Sequence, residues 1–222
     1  MRLYHGSIHV IEHPVFGAGK ATNDYGLGFY CTEHIELAKE WACGEPHDGF
    51  ANAYDIDMDG LAVLNLNDER WTILNWLALL VNNRRIQVTT PIQDAARQYL
   101  LAHFLPNIST YDIVRGYRAD DSYFSFARAF LGNEISLAQL STAMRLGELG
   151  EQVAIKSRRT FKRLVFAGAE IADARHYHLR RRTRDESARE AFQREASNPD
   201  LDGLFMRDIL RAKMEADDAR LR

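Results

Sequence analysis

Three short stretches carry residue types that can do chemistry on a small polar ligand. The chain opens with Leu3-Tyr4-His5-Gly6-Ser7, an apolar strand ending in an imidazole beside a glycine. Such a glycine lets a ligand hydrogen-bond the main chain, and the ring supplies a second polar contact. Asp24 to Ala42 reads DYGLGFYCTEHIELAKEWA. Gly26 and Gly28 give a tight turn, Phe29-Tyr30-Cys31 a short aromatic strand, and Thr32 an N-cap for an amphipathic helix with Glu33 and Glu36 in its first turn. Trp41 follows about two and a half turns along that helix. Tyr30 and Trp41 can therefore sandwich a flat heteroaromatic, or both rings can pack in the core. The third stretch is Glu151 to Ser157, EQVAIKS. Alternation along a strand puts Glu151, Val153 and Ile155 on one face and Gln152, Ala154 and Lys156 on the other, so only one of Glu151 and Gln152 can point into a cleft.

The His5-Gly6 pair and Gly26-Leu27-Gly28-Phe29-Tyr30 together resemble the ADP-ribosyltransferase fold, in its diphtheria-toxin and poly-ADP-ribose polymerase branch. More closely, the chain is similar to an uncharacterised bacterial family of such domains, often encoded in toxin-antitoxin-like operons. That likeness continues at Gly116-Tyr117-Arg118-Ala119-Asp120-Asp121 and at Gly150 to Ser157, and covers most of residues 1–171. The resemblance implies NAD as co-substrate. It assigns His5, Gly6, Ser7, Gly28, Tyr30 and Trp41 to NAD binding, with nicotinamide stacked on Tyr30. It makes Gln152, Tyr30 and His5 the catalytic set, with Glu151 as the alternative to Gln152. Small Ala154 leaves room for a dinucleotide beneath Gln152, whereas Val153 and Ile155 read as core. A neutral Gln can orient a ribose hydroxyl but brings no charge and no general base, so Asp120, Asp121 or Glu151 would have to activate a poor nucleophile.

The implied fold is α+β, a core of two packed antiparallel sheets with flanking helices and a C-terminal helical tail. The implied activity is NAD-dependent mono-ADP-ribosyl transfer to a macromolecule by a toxin or phage-defence effector. Nucleic acid is favoured over protein as acceptor, and an antitoxin protein is a further partner. Two other readings stand beside it, an NAD-binding pseudoenzyme and a nucleic-acid-binding interaction protein on the same fold.

Composition agrees with a catalytic domain of modest size. The 222 residues are 46% hydrophobic and 27% charged with a net charge of -3, which argues against a uniformly basic nucleic-acid binder. The two cysteines, Cys31 and Cys43, have no metal-ligand spacing, and a reduced cytoplasmic setting without membrane spans is expected. His5, His9 and His13 recur every four residues, but β-branched neighbours and Pro14 disfavour the helix that would make them a metal face. Gly17-Ala18-Gly19-Lys20 lacks the first glycine and the final Ser or Thr of a phosphate loop. The resemblance sets this loop beside NAD, where Lys20 touches the pyrophosphate or stays solvated.

Elements must position these residues. Asn52 to Met58 and Leu61 to Asn67 read as strands joined in a hairpin across Asp59-Gly60. Asp68 is expected to cap a helix carrying Trp71, Leu74, Leu77, Leu80 and Val81, and Thr90-Pro91 with Gln93 to open another that ends before Pro106, a helical insertion over about 68–106. Tyr111 to Arg115 reads as a central strand before a turn at Gly116. Asp120 or Asp121 then caps the next helix, or serves the active site. Ser136 and Gln139 form a capping box for a helix stopping at Gly147, Gly150 introduces the third stretch, and Leu164 to Ile171 closes the sheet. Residues 172–222 form a helical extension whose Arg175, Arg180, Arg181, Arg182 and Arg184, interleaved with His176, Tyr177 and His178, suit phosphates or else make a salt-bridged solvated helix.

Overall fold

The computed structural model describes residues 1–44, 47–119, 121–146 and 151–222. Seven strands and eight α-helices follow in the order β1 (Arg2–Ser7), β2 (Phe29–Cys31), α1 (Ile35–Ala42), β3 (Gly49–Ile56), β4 (Val63–Asn65), α2 (Ile73–Asn83), α3 (Pro91–His103), β5 (Ile113–Tyr117), α4 (Asp121–Leu131), α5 (Leu137–Leu146), β6 (Glu151–Ile155), α6 (Arg158–Phe161), β7 (Leu164–Ala172), α7 (Ala174–Ala196) and α8 (Met206–Ala212) among the described residues. The class is α+β with two sheets, ordered β1-β3-β7 and β2-β6-β5-β4.

The chain divides into two compact units, one of residues 1–65, 108–118 and 149–184, the other of residues 66–107, 119–148 and 185–222. Both sheets belong to the first unit. Leu3 and Ile56 from the three-stranded sheet meet Cys31, Ile113, Val153 and Ile155 from the four-stranded one in a shared core. A backbone pair joins the sheets at the edge of that core, Tyr4 N to Thr32 O at 2.8 Å and Thr32 N to Tyr4 O at 2.9 Å. The second unit is helical. Trp76, Leu77, Leu100, Phe104, Phe126 and Phe130 are fully buried within it, and the Phe126 and Phe192 rings approach to 4.1 Å.

Several expected elements change place for identifiable reasons. Thr32 does not cap α1, because its main chain is committed to Tyr4; its hydroxyl accepts from His34 N, and the helix starts after His34. The turn at Asp59-Gly60 forms, with Gly60 at φ +66°, yet no hairpin results. β3 pairs with β1 and β7, while β4 lies parallel to β5, so the four-stranded sheet is not wholly antiparallel. Asp112 draws β4 to β5: its carboxylate accepts from Ala62 N at 2.8 Å and its own N–H donates to Ala62 O at 2.8 Å. A parallel pair needs a long crossover, and α2 and α3 supply it.

Helix α2 starts at Ile73 rather than from Asp68. Thr72 and Asn75 form its capping box, and Asp68 O accepts from Trp71 N in the preceding turn. Helix α3 opens at Thr90 and Pro91 as expected, with Thr90 Oγ1 accepting from Gln93 N, but Gln93 Oε1 accepts from Thr89 N at 2.9 Å rather than from Thr90, so the expected capping box is half formed. Ser136 and Gln139 exchange both capping bonds ahead of α5. Strand β5 begins two residues later than expected, at Ile113, and Gly116 lies inside it opposite Gln152 instead of in a turn. β7 does not close a sheet; it pairs with β3 alone, at the edge.

Candidate functional site

His5 sits on β1, with its Nδ1 at 2.7 Å from Tyr30 O on β2. A carbonyl only accepts, so Nδ1 carries the proton and Nε2 is left as an acceptor. Burial holds the imidazole below its ordinary pKa, against the opposing pull of the Tyr30 carbonyl. The ring also stacks on Phe29, centroids 4.3 Å apart. Gly6 serves packing: a Cβ there would stand 2.2 Å from Ala38 O and 2.7 Å from Ala42 N, so the missing side chain lets α1 lie against β1. Ser7 turns its Oγ to accept from His9 N at 3.2 Å.

Tyr30 lies opposite Ala154 in the β2–β6 pair. Its hydroxyl donates to Gly26 O at 2.6 Å and accepts from Tyr25 N at 3.0 Å, a tether across the glycine turn, where Gly26 takes φ +73°. Tyr25, fully buried, sets its ring parallel to Tyr30, centroids 6.5 Å apart. Gly28 brings the turn close to β6: a Cβ there would meet Ile155 O at 3.0 Å. On α1, half-buried Trp41 carries the Arg118 guanidinium over its ring at 4.2 Å, and its indole N–H is buried without an acceptor among the described residues. The ring neighbour that the structure gives Tyr30 is thus Tyr25, and the one it gives Trp41 is Arg118.

Strand β6 separates its two candidates. Gln152 is 4% exposed and donates from Nε2 to Asp24 Oδ2 at 2.7 Å and to Tyr117 O at 3.0 Å. Glu151 is half-buried and accepts from Arg115, whose Nη2 also binds Glu33. Lys156 follows the Gln152 face and donates to Tyr25 O and to Leu27 O, each at 2.5 Å. Burial lowers its pKa to about 8. Gln152 and Lys156 therefore hold the segment from Asp24 to Leu27 against β6 from both ends.

Asp24, Tyr25 and Lys156 join the site without having been singled out for it. Lys156 carried one usable signal, its place on the Gln152 face; Asp24 carried only its position at the mouth of the glycine turn. Helix α4 begins at Asp121, while Asp120, Gly147 and Gly150, each given a role from the sequence, lie outside the described residues.

The basic helix is partly absorbed by α1. Arg184 forks Glu40 with two bonds of 3.0 Å, Arg180 reaches Glu36 Oε2 at 2.7 Å, and Tyr177 OH donates to Glu36 at 3.2 Å. Arg175, His176, Arg181 and Arg182 are exposed, as are His9, His13 and Lys20 in the loop after β1. Among the described residues no three His, Cys, Asp or Glu side chains are grouped to hold a metal ion. No described helix is long and apolar enough to cross a membrane. Residues 1–166 match the family model DUF3990, described as a protein of unknown function, and no curated protein and no solved structure matches the chain.

Proposed function

We propose that this chain, which belongs to the DUF3990 family, is an NAD-dependent mono-ADP-ribosyltransferase acting on a macromolecule. The observation that carries the reading is how the three strands meet. The His5 ring bonds the carbonyl of Tyr30, Tyr30 pairs with Ala154, and Gln152 stands two residues along β6 on the same face. The site offers two neutral acceptors, His5 Nε2 and Gln152 Oε1, suited to ribose hydroxyls, which donate. Tyr30 supplies an aromatic face for nicotinamide. In the reaction the bond between the nicotinamide nitrogen and ribose C1′ breaks, its electron pair leaving with nicotinamide. C1′ then bonds to the acceptor's nucleophilic atom, which loses its proton to a base. Gln152 orients the 2′-hydroxyl without adding charge.

Incubation with NAD labelled in its adenylate half, together with cell extract, tests this reading. Covalent label on a macromolecule with stoichiometric release of nicotinamide is expected, and the absence of both sinks the proposal. The neutral amide at position 152 also favours a second reading, reversible NAD binding without turnover, for which titration would show binding while the label stays free. A nucleic-acid acceptor is supported by exposed Arg175, Arg181 and Arg182. A role as toxin or phage-defence effector rests on the resemblance described above.

A further inference from the structure

Amide groups have two ends that differ only in hydrogen bonding, and their neighbours decide which end points where. Both neighbours of the Gln152 amide are acceptors. Tyr117 O is a main-chain carbonyl, and Asp24 is a carboxylate that in its ionised form only accepts. The NH2 group must take both, so Oε1 is turned away from them, and no hydrogen bond reaches it among the described residues. Asp24 and Gln152 are each 4% exposed, so their bond is shielded from water, and a flipped amide, with its oxygen facing the Tyr117 carbonyl oxygen, is costly. The segment bearing Asp24 is itself pinned, by Lys156 on Tyr25 O and Leu27 O and by the Tyr30 hydroxyl on Gly26 O. Asp24 is therefore held on the sheet independently of Gln152.

We propose that Asp24 is a positioning residue, which locks the Gln152 side chain with its carbonyl oxygen outward as the acceptor for a ligand hydroxyl. Gln152 then does the orienting half of what a carboxylate does at that place, with one oxygen and no charge. That the hydroxyl belongs to the ribose of NAD rests on the function proposed above; the locked amide does not. It follows that a carboxyl introduced by Gln152→Glu would face Asp24 and the Tyr117 carbonyl with no amide donor between them, and one of the two carboxyls would have to hold a proton. An amide at position 24 relieves the contact between the two side chains by supplying a donor, while Tyr117 O loses the bond from Gln152 Nε2.

A four-member comparison of the full chain tests this: wild type, Asp24→Asn, Gln152→Glu, and the two changes together. Gln152→Glu is expected to lower the melting temperature by about 5 °C, Asp24→Asn, whose Oδ1 still accepts from Gln152 Nε2, to lower it less, and the double change, which sets an amide at 24 against the carboxylate at 152, to recover part of the Gln152→Glu loss. Strictly additive losses overturn the proposal. Wild type supplies a measurement that needs no variant to fold: the Gln152 side-chain amide protons should exchange with solvent at least tenfold more slowly than those of exposed glutamines, and equal rates overturn the proposal as well. With NAD, Asp24→Leu, which removes the acceptor altogether, should raise Kd by about tenfold, the scale of one oriented hydrogen bond. Wild type that fails to bind NAD sinks the functional reading while leaving the exchange and rescue results to decide the role of Asp24. Wild type that binds NAD, with affinity unchanged in a folded Asp24→Leu variant, overturns the positioning role alone.

Discussion

Tyr30 uses its hydroxyl twice on the glycine turn and so leaves only its ring for a ligand. This separates two substitutions. Tyr30→Phe should loosen the turn while retaining most NAD affinity, whereas Tyr30→Ala should weaken binding by about 1 kcal/mol or more through loss of the stacking face. Titration calorimetry on folded proteins checks both, and equal affinity for wild type and Tyr30→Ala would remove Tyr30 from the site. Lys156 gives a prediction in pH. Its folded pKa of about 8 lies below the ordinary value of 10.5. Between those values the unfolded chain binds more protons than the folded one, so stability rises with pH across that window. Denaturant unfolding should accordingly show wild type gaining on Lys156→Met from pH 8 to 10.5, and a flat difference would mean the amine is not held out of water. His5 and Tyr30 were legible because their motifs are local and punctuated by glycine. Asp24 and Lys156 were not, because their partners lie 128 and 131 residues away. Gly6 was read for the property it has, and the structure adds a use, since absence of a side chain lets a neighbouring helix approach.

Helix α7 shows why a charge cluster in sequence is ambiguous. Arg180 and Arg184 close on Glu36 and Glu40 of α1, and Glu40 is almost fully buried. Removing Arg184 would leave Glu40 with Arg180 at 3.5 Å, so Arg184→Ala should cost about 2 kcal/mol in a denaturant melt. Arg181 and Arg182 are the arginines of the cluster with which to test the acceptor. Changing both to Ser should lower transfer to RNA or DNA, most at low salt and with a shallower salt dependence than wild type, and leave NAD affinity alone. Label confined to protease-sensitive, nuclease-resistant bands would count against a nucleic-acid acceptor. Strand pairing was the least legible feature. The Asp59-Gly60 turn was visible and forms, but a turn fixes local direction only. The choice of sheet came from Asp112, whose carboxyl Arg159 holds well below the ordinary range.

The chain passes between its two compact units five times, at residues 65/66, 107/108, 118/119, 148/149 and 184/185. Neither unit is one contiguous segment. A fragment ending at residue 171 would keep every strand but the last residue of β7, yet lose Tyr177, Arg180 and Arg184 from the first unit and Phe192 and α8 from the second. It should therefore lose cooperative unfolding, as thermal circular dichroism would show; a sharp transition near that of the full chain would make the C-terminal extension dispensable. The α+β class and most helices were readable from periodicity and caps. The interleaving was not, because composition reports what each segment can bury and says nothing of which distant segment it will meet.

The Asp24–Gln152 bond also constrains how this sequence can change by descent. Glutamate at position 152 is harmful while position 24 is aspartate, whereas asparagine at 24 still accepts from Gln152 Nε2 through its own Oδ1, so the two steps are tolerated in one order and adverse in the other. A lineage moving between the neutral and the charged form of this site therefore passes through asparagine at 24 first, and a glutamate that arrives at 152 ahead of it loses stability.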